Sequence, residues 1–227
     1  MENFFKSREE ASLAAAKQIV AALTGRLDGQ SKASLVVTGG SSPKLCYAVL
    51  AKIELEWSRV QLILSDERWV PPTHEDSNER MVRDTLLTSC ATEADLISLY
   101  DESVTVAERC AELNAAVNKL SFPFAISLLG MGSDGHIASL FPDSDNLETG
   151  LQVDSTEFFI PVSTAASPHP RISMTMAALS RSDEIVLLFF GDAKREIYEK
   201  AKASSTAYPV STLLFQNRAP VHVFWAP

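Results

Sequence analysis

The sequence predicts an α/β protein built on a doubly wound, mostly parallel sheet with helices on both faces. Short apolar runs of strand length alternate along the chain with longer segments of helical periodicity. The runs are nearly continuous in apolar residues, which is typical of strands buried on both faces of a parallel sheet. Because no repeat, low-complexity tract or linker interrupts this pattern, we expect a single domain over residues 1–227.

The predicted elements follow from local composition. Ala, Leu, Lys and Glu at 3.6-type spacing predict the first helix, and runs rich in Val, Ile, Leu and Phe predict strands. Serine before Pro43 is typical of a helix start, with serine as N-cap and proline in the first turn. In chain order we predict helix 7–27, strand 33–37, a helix beginning at 43, strand 60–65, helix 77–88, strand 97–99, helix 104–120 and strand 124–129. Strands 157–162, 184–190 and 221–225 and helices 173–180 and 192–201 complete the prediction.

Composition and charge exclude several classes of protein. The formal net charge is −9, which disfavours nucleic-acid binding because that needs a basic face to displace counterions. No apolar run approaches the roughly 18–20 residues of a membrane span, and the first residues lack the pattern of a secretory signal. Three cysteines without CxxC spacing predict free thiols, and we expect Cys46 and Cys110 to be core residues. These features predict a soluble, cytoplasmic protein.

Polar and glycine-rich clusters follow three of the predicted strands. They are residues 39–42, 66–68 and 132–136. In a doubly wound sheet the carboxyl ends of the strands share one edge, and ligands bind there. We therefore expect these three clusters to lie on one rim.

The loop over residues 38–43 joins a strand to a helix. Gly39 and Gly40 would let the backbone approach an anion closely, and Ser41 and Ser42 add hydroxyl donors. The pattern fits a phosphate cradle, and it equally fits an ordinary capped turn. It is not a Walker loop, because the spacing to Lys44 is wrong.

The run over residues 130–135 formally matches the dinucleotide pattern GxGxxG. That pattern belongs to the first strand–helix unit of a Rossmann half and opens a full-length helix. Here it follows the fourth predicted strand, and Pro142 truncates any helix that starts near residue 136. We therefore expect no nicotinamide cofactor.

His136 follows this glycine run and is the candidate general base. A neutral imidazole suits deprotonation of a water near pH 7, and Asp134 two residues earlier could fix its tautomer. The alternative is a histidine that caps or packs the turn. Ser133 does not form a nucleophile elbow, because Met131 stands where GxSxG needs its first glycine.

The remaining histidines give no sign of a metal site in the sequence. His74, His169 and His222 form no HxH or HExxH spacing, and His222 lies in an apolar strand where a structural role is expected. We expect no metal.

Two late cations stand at predicted strand-to-helix junctions. Arg171 and Lys194 each precede or open a predicted helix. Lone basic residues are commonly solvated surface, but these junctions lie on the suspected binding rim. Both interpretations stay open from the residues alone.

These residues together resemble the 6-phosphogluconolactonase family, within the wider glucosamine-6-phosphate isomerase/6-phosphogluconolactonase superfamily. The most specific match is LGMGSDGHIASLFP over residues 129–142. Further matches are residues 38–43, 65–68 with 77–78, 170–173, 191–194 and 209–211. They run in family order over nearly the whole chain.

The resemblance implies a Rossmann-like lactonase fold and hydrolysis of 6-phosphoglucono-1,5-lactone to 6-phosphogluconate, without a cofactor. His136 matches the catalytic base and Asp134 its neighbouring acid. Positions that match substrate-holding residues of the family are Gly39, Gly40, Ser41, Ser42, Arg68, Arg171 and Lys194, and Asp66 matches a rim acid of open role. Ser42 stands where many relatives have threonine, and Ile137 stands where lactonases often have threonine and isomerases isoleucine.

Two rival functions remain to be separated. In the isomerase/deaminase branch a glutamate partners the histidine, and here Phe141 takes that position. A non-catalytic sugar-phosphate sensor would need neither Asp134 nor His136. We expect a small phosphorylated sugar lactone as the partner, no nucleic acid or membrane, and a monomer or weak homo-oligomer.

Overall fold

The structure, a computed structural model, describes residues 1–116, 120–165 and 167–227. Within these ranges the larger sheet has seven strands, and every neighbouring pair is parallel. Its strands are β1 (Glu2–Phe4), β2 (Ala33–Val37), β3 (Val60–Leu64), β5 (Asp95–Ile97), β6 (Ile126–Leu129), β9 (Ile185–Phe190) and β10 (Val221–Ala226). They lie in the order β1-β10-β9-β6-β2-β3-β5.

The strand order reverses between β2 and β6. From β2 the chain adds β3 and then β5 on one side, and it returns to place β6, β9, β10 on the other. At such a reversal the connections on the two sides diverge and leave a crevice beyond the carboxyl ends of the strands. The fold therefore places a crevice between the loops that follow β2 and β6.

The central strands are buried along their whole length. All residues of β2, β3 and β6 are buried, in agreement with their nearly continuous apolar sequences. The predicted strand 33–37 is confirmed at both ends, and those predicted at 60–65, 124–129, 184–190 and 221–225 are confirmed within two residues. The predicted strand 97–99 begins two residues earlier, at Asp95.

A second, three-stranded sheet was not predicted. It consists of β4 (Asp66–Arg68), β7 (Phe159–Val162) and β8 (Arg171–Met174), in the order β4-β8-β7, and both pairings are antiparallel. The prediction of one helix over 173–180 was wrong, because Ser173 and Met174 end β8 and the helix covers only Met176–Leu179. Short, partly polar strands of this kind depend on partners far away in the sequence.

Eight α-helices lie in the described residues. They are α1 (Arg8–Gly29), α2 (Lys44–Leu50), α3 (Asn78–Thr85), α4 (Val106–Ala115), α5 (Leu147–Leu151), α6 (Met176–Leu179), α7 (Asp192–Ala203) and α8 (Pro209–Phe215). None is long and apolar enough to cross a membrane. Sequence reasoning missed α5, α8 and β1.

The helix boundaries test the predicted caps. Ser7 caps α1 by accepting from the Glu10 N–H, as the start of helix 7–27 requires. The serine N-cap predicted for α2 was wrong, because Pro43 itself occupies the cap position with φ −76° and no side chain caps the helix. The predicted helix 104–120 is confirmed over Val106–Ala115, and its stretch over 117–119 lies outside the described residues.

The buried carboxylate of Glu67 joins β4 to α3. One oxygen accepts from the N–H groups of Arg68 and Asn78, each at 2.7 Å. The other accepts from the Ser77 hydroxyl at 3.0 Å and the Glu79 N–H at 2.7 Å. Burial raises the pKa of Glu67, and the four donors act in the opposite direction.

We predict that Glu67→Gln lowers the free energy of unfolding by about 2 kcal/mol. Each carboxylate oxygen accepts from a backbone N–H, so either orientation of the amide places its NH₂ group against a buried donor. Urea unfolding measures the change. The matched control is Glu112→Gln at a half-exposed ion pair with Arg109, for which we expect less than about 0.5 kcal/mol. Equal effects of the two substitutions would contradict this role of Glu67.

Candidate active site

A cavity of about 220 Å³ lies beyond the carboxyl ends of β9, β6, β2 and β3, which are neighbours in the sheet. It is lined by Thr38, Gly39, Gly40, Ser41, Ser42, Asp66, Arg68, Asn78, Gly130, Met131, Gly132, His136, Ala138, Arg171 and Lys194. All three polar clusters that the sequence analysis placed on one rim contribute to this lining. The crevice at the reversal of strand order is therefore the place where the predicted site residues meet.

The glycine–serine loop after β2 presents free donors to the cavity. Within the described chain, no backbone N–H of residues 39–42 donates to a protein acceptor, and the hydroxyls of Ser41 and Ser42 make no hydrogen bond. Gly40 has φ +86°, a left-handed conformation that favours glycine. The start of the loop is fixed, because the buried Tyr47 hydroxyl accepts from the Thr38 N–H and donates to its carbonyl, both at 2.8 Å.

His136 and Asp134 form a hydrogen-bonded pair after β6. The imidazole Nδ1 lies 2.6 Å from Asp134 Oδ1, and the His136 N–H donates to the same oxygen at 3.2 Å. Burial acts to raise the pKa of Asp134, but the hydrogen bonds and charge of His136 outweigh it and hold that pKa below its ordinary value. An ionised carboxylate can only accept, so Nδ1 carries the proton and the lone pair of a neutral ring is at Nε2.

The turn that holds this pair requires glycine at position 132. A Cβ there would collide with His136 Nδ1 and with the Asp134 carboxylate. The turn is closed by the Gly132 N–H, which donates to the His136 carbonyl at 2.9 Å. No helix follows within residues 137–146, as predicted from Pro142, so the GxGxxG match lacks the helix of a dinucleotide site.

The Phe141 ring contacts both the histidine and a cation. Its ring centroid is 4.1 Å from that of His136, and the guanidinium carbon of Arg171 lies 5.0 Å from the same centroid. The ring is 6% exposed, so it removes water from one side of the imidazole. The position at which the isomerase branch has a glutamate is thus in direct contact with His136.

Asp66 and Arg171 belong to one buried polar network. Asp66 accepts from the hydroxyl of Ser65 at 2.8 Å and from that of Ser139 at 2.6 Å. Arg171 donates to the Ser139 hydroxyl at 3.2 Å and lies 3.7 Å from the Asp66 carboxylate. Asp66, whose role the sequence left open, is therefore linked through the Ser139 hydroxyl to Arg171, which lines the cavity.

Two further cations reach the cavity from different elements. Arg68 in β4 donates to the Asp76 carbonyl, and its buried Nε has no partner. Lys194, in the first turn of α7, has no hydrogen bond or ion pair with any described residue. Burial lowers the pKa of Lys194, and the negative charge of Asp134 acts in the opposite direction.

The structure brings nine of the ten predicted site residues into the cavity wall. Asp134 is not part of the lining and lies behind His136, to which it is bonded. Sequence reasoning did not place Asn78 among the site residues, although its amide donates to the Asp66 carbonyl at 2.9 Å and it lines the cavity. The only signal for it was the matching pair at 77–78.

Comparison with known proteins identifies the family. The sequence profile of glucosamine-6-phosphate isomerases/6-phosphogluconolactonase matches residues 6–225. A 6-phosphogluconolactonase from Caulobacter vibrioides is 39% identical over 98% of this chain and 95% of that protein. One from Rhizobium meliloti is 34% identical over 99% and 98%.

A solved structure agrees with these relatives. The crystal structure of a 6-phosphogluconolactonase from Shewanella baltica superimposes with a TM-score of 0.96 at 33% identity, over 100% of this chain and 97% of that one. The likeness confirms the predicted fold class, a parallel α/β sheet of the lactonase type. The chain belongs to the family of glucosamine-6-phosphate isomerases and 6-phosphogluconolactonases.

Proposed function

We propose that this protein hydrolyses 6-phospho-D-glucono-1,5-lactone to 6-phosphogluconate, the lactone step of the oxidative pentose phosphate pathway. One observation carries the proposal beyond the names of its relatives. His136, which is bonded to Asp134, lines the same cavity as a loop of N–H donors and a lysine that have no hydrogen-bond partner among the described residues. Such a site has a base for water at one side and donors for a phosphate at the other.

The phosphate is held by donors that the protein leaves unused. The N–H groups of residues 39–42 and the hydroxyls of Ser41 and Ser42 approach an anion without losing any protein hydrogen bond. Lys194, Arg68 and Arg171 supply positive charge around it. Binding energy from this remote group positions the lactone carbonyl near His136.

Hydrolysis then needs one base and one water. His136 Nε2 removes a proton from water while the oxygen attacks C1 of the lactone, and Asp134 stabilises the imidazolium that forms. The tetrahedral intermediate places its negative charge where a backbone N–H of the 132–135 turn or a nearby cation can donate. The imidazolium returns the proton to the ring oxygen as the C1–O bond breaks.

The contact of Phe141 with His136 favours the lactonase over the isomerase branch. An isomerase moves a proton between C1 and C2 and relies on a carboxylate beside the histidine. Here a phenyl ring occupies that contact, at 4.1 Å between centroids. We therefore expect no turnover of glucosamine 6-phosphate in a coupled assay with the purified protein. The complete His136–Asp134 pair also disfavours a sensor that binds without reaction.

The surroundings of the reaction are also part of the proposal. Cys46 and Cys110 are buried free thiols, and Cys90 is exposed and free, which suits a reducing compartment such as the cytoplasm. The net charge of −9 disfavours a nucleic-acid partner. We expect the protein to act on a small molecule, as a monomer or weak homo-oligomer.

We predict that His136→Ala lowers kcat by about 10²–10⁴ and leaves the affinity for 6-phosphogluconate nearly unchanged. The reason is that the imidazole acts on water and not on the phosphate. Initial rates on freshly generated lactone measure kcat after subtraction of spontaneous hydrolysis. Asp134→Asn should also lower kcat, because an amide can donate to Nδ1 and leave the proton on Nε2.

The control is His222→Ala, which removes a histidine paired with Glu184 outside the cavity. Its kcat should equal that of the unmodified protein. Unaltered turnover in His136→Ala would remove this residue from the mechanism.

We predict that Lys194→Met raises KM, and the inhibition constant of 6-phosphogluconate, by about 10- to 100-fold, the worth of one charge-assisted hydrogen bond. Lys200→Met is the matched control, since that lysine is exposed on the same helix and outside the cavity. Steady-state kinetics and product inhibition give both constants. A fall in kcat with unchanged inhibition would instead place the ammonium at the reacting carbonyl.

A further inference from the structure

A second cluster of potential ligands lies beside the cavity. Asp76 Oδ2 is 3.1 Å from His169 Nε2 and 3.8 Å from His74 Nδ1. One ligand atom from each of the three residues lies within 4.8 Å of the others. No metal was expected from the sequence, because its histidines form no HxH or HExxH spacing, whereas Asp76 and His169 come together although they are 93 residues apart.

We propose that His74, Asp76 and His169 coordinate a transition-metal ion, and that this ion is Zn²⁺. Two imidazoles and one carboxylate are the donor set that zinc accepts in three-ligand sites, with a fourth position open to water. Imidazole nitrogen disfavours Mg²⁺ and Ca²⁺, which prefer oxygen ligands. The chemistry of the cluster therefore selects the class of ion.

The distances from Asp76 to the two histidines are close to those of a tetrahedral zinc site, and all three ligand atoms lie within 4.8 Å of one another. With metal–ligand bonds of about 2.0–2.1 Å, the ligand atoms lie about 3.3 Å apart. The two distances to Asp76 Oδ2, 3.1 and 3.8 Å, bracket that value. The side chains are 27–49% exposed, so an ion can enter and the rotamers can adjust. His74 Nδ1 now accepts the Asp76 N–H at 3.1 Å, and a metal bond to that nitrogen takes its place.

The site connects two segments that carry cavity cations. His74 and Asp76 lie in the loop between β4 and α3, and His169 lies just before β8. Arg68 donates to the Asp76 carbonyl. The Ser167 hydroxyl accepts from Arg171 Nε and donates to the His169 carbonyl. A bound ion therefore links the β4–α3 loop, which accepts a hydrogen bond from Arg68, to the segment before β8, which contacts Arg171. None of the three ligands contributes to the cavity lining.

Zinc titration of the chelator-treated full chain at pH 7.5, with a competing chromogenic chelator, tests the proposal. We expect one saturable site, and a loss of affinity of about tenfold or more in each of His74→Gln, Asp76→Asn and His169→Gln. At a hundredfold excess of Zn²⁺ over Kd, the Tm should rise by about 5–10 °C in the unmodified protein and not in these variants. Cobalt substitution should give visible absorption that the same variants lose.

Two matched substitutions locate the ion. His222→Gln alters a histidine–carboxylate pair elsewhere, and His136→Gln alters the pair in the cavity, so both should retain full zinc affinity. Unchanged affinity in the double variant His74→Gln/His169→Gln, or zinc binding lost in His136→Gln alone, would overturn the proposal. Metal binding is measured without turnover, so its failure and failure of the lactonase assignment are separate results.

Discussion

The reversal of strand order between β2 and β6 is the constraint on which the rest of the structure depends. Parallel strands direct their carboxyl ends to one edge, and the loops on either side of a reversal diverge there. The glycine–serine loop and His136 therefore face each other across a crevice although they are distant in sequence. Every residue of β2, β3 and β6 is buried, so a shift of register would disrupt close packing on both faces of the sheet. The packed core thus fixes the distance between the two halves of the site.

The small antiparallel sheet adds a second constraint at one side of the crevice. Successive residues of a strand point to opposite faces, so the neighbouring carboxylates of β4 have different partners. Asp66 bonds Ser139 and lies near Arg171, whereas Glu67 receives the first N–H groups of α3. A buried carboxylate is tolerated only with several donors. The network that satisfies these two acids also orients an arginine toward the cavity.

The sequence was informative where structure is local. Apolar runs located β2, β3 and β9, and glycines with polar neighbours located the loops that line the cavity. Features set by distant partners were not predictable. Residues 173 and 174 were assigned to a helix, because only their pairing with β7, and that of Ser173 with β4, makes them part of a strand. Asn78 enters the site through the Asp66 carbonyl, and its only signal in the sequence was the matching pair at 77–78. His169 reaches Asp76 across 93 residues and had no signal at short range.

The cavity differs from its surroundings in how completely its polar groups are satisfied. Around the cavity, Tyr47, Asp66 and Asp134 have hydrogen-bond partners within the protein. At its surface, the N–H groups of 39–42 and the ammonium of Lys194 have none among the described residues. An apolar ligand that displaced water there would leave these donors unpaired, whereas the oxygens of a phosphate accept hydrogen bonds from them. The net charge of −9 repels an anion in the cavity only weakly, because salt screens the surface charges that lie more than about 8–10 Å from it. Selection for an anionic ligand is therefore a property of a few local donors and not of the molecule's overall field.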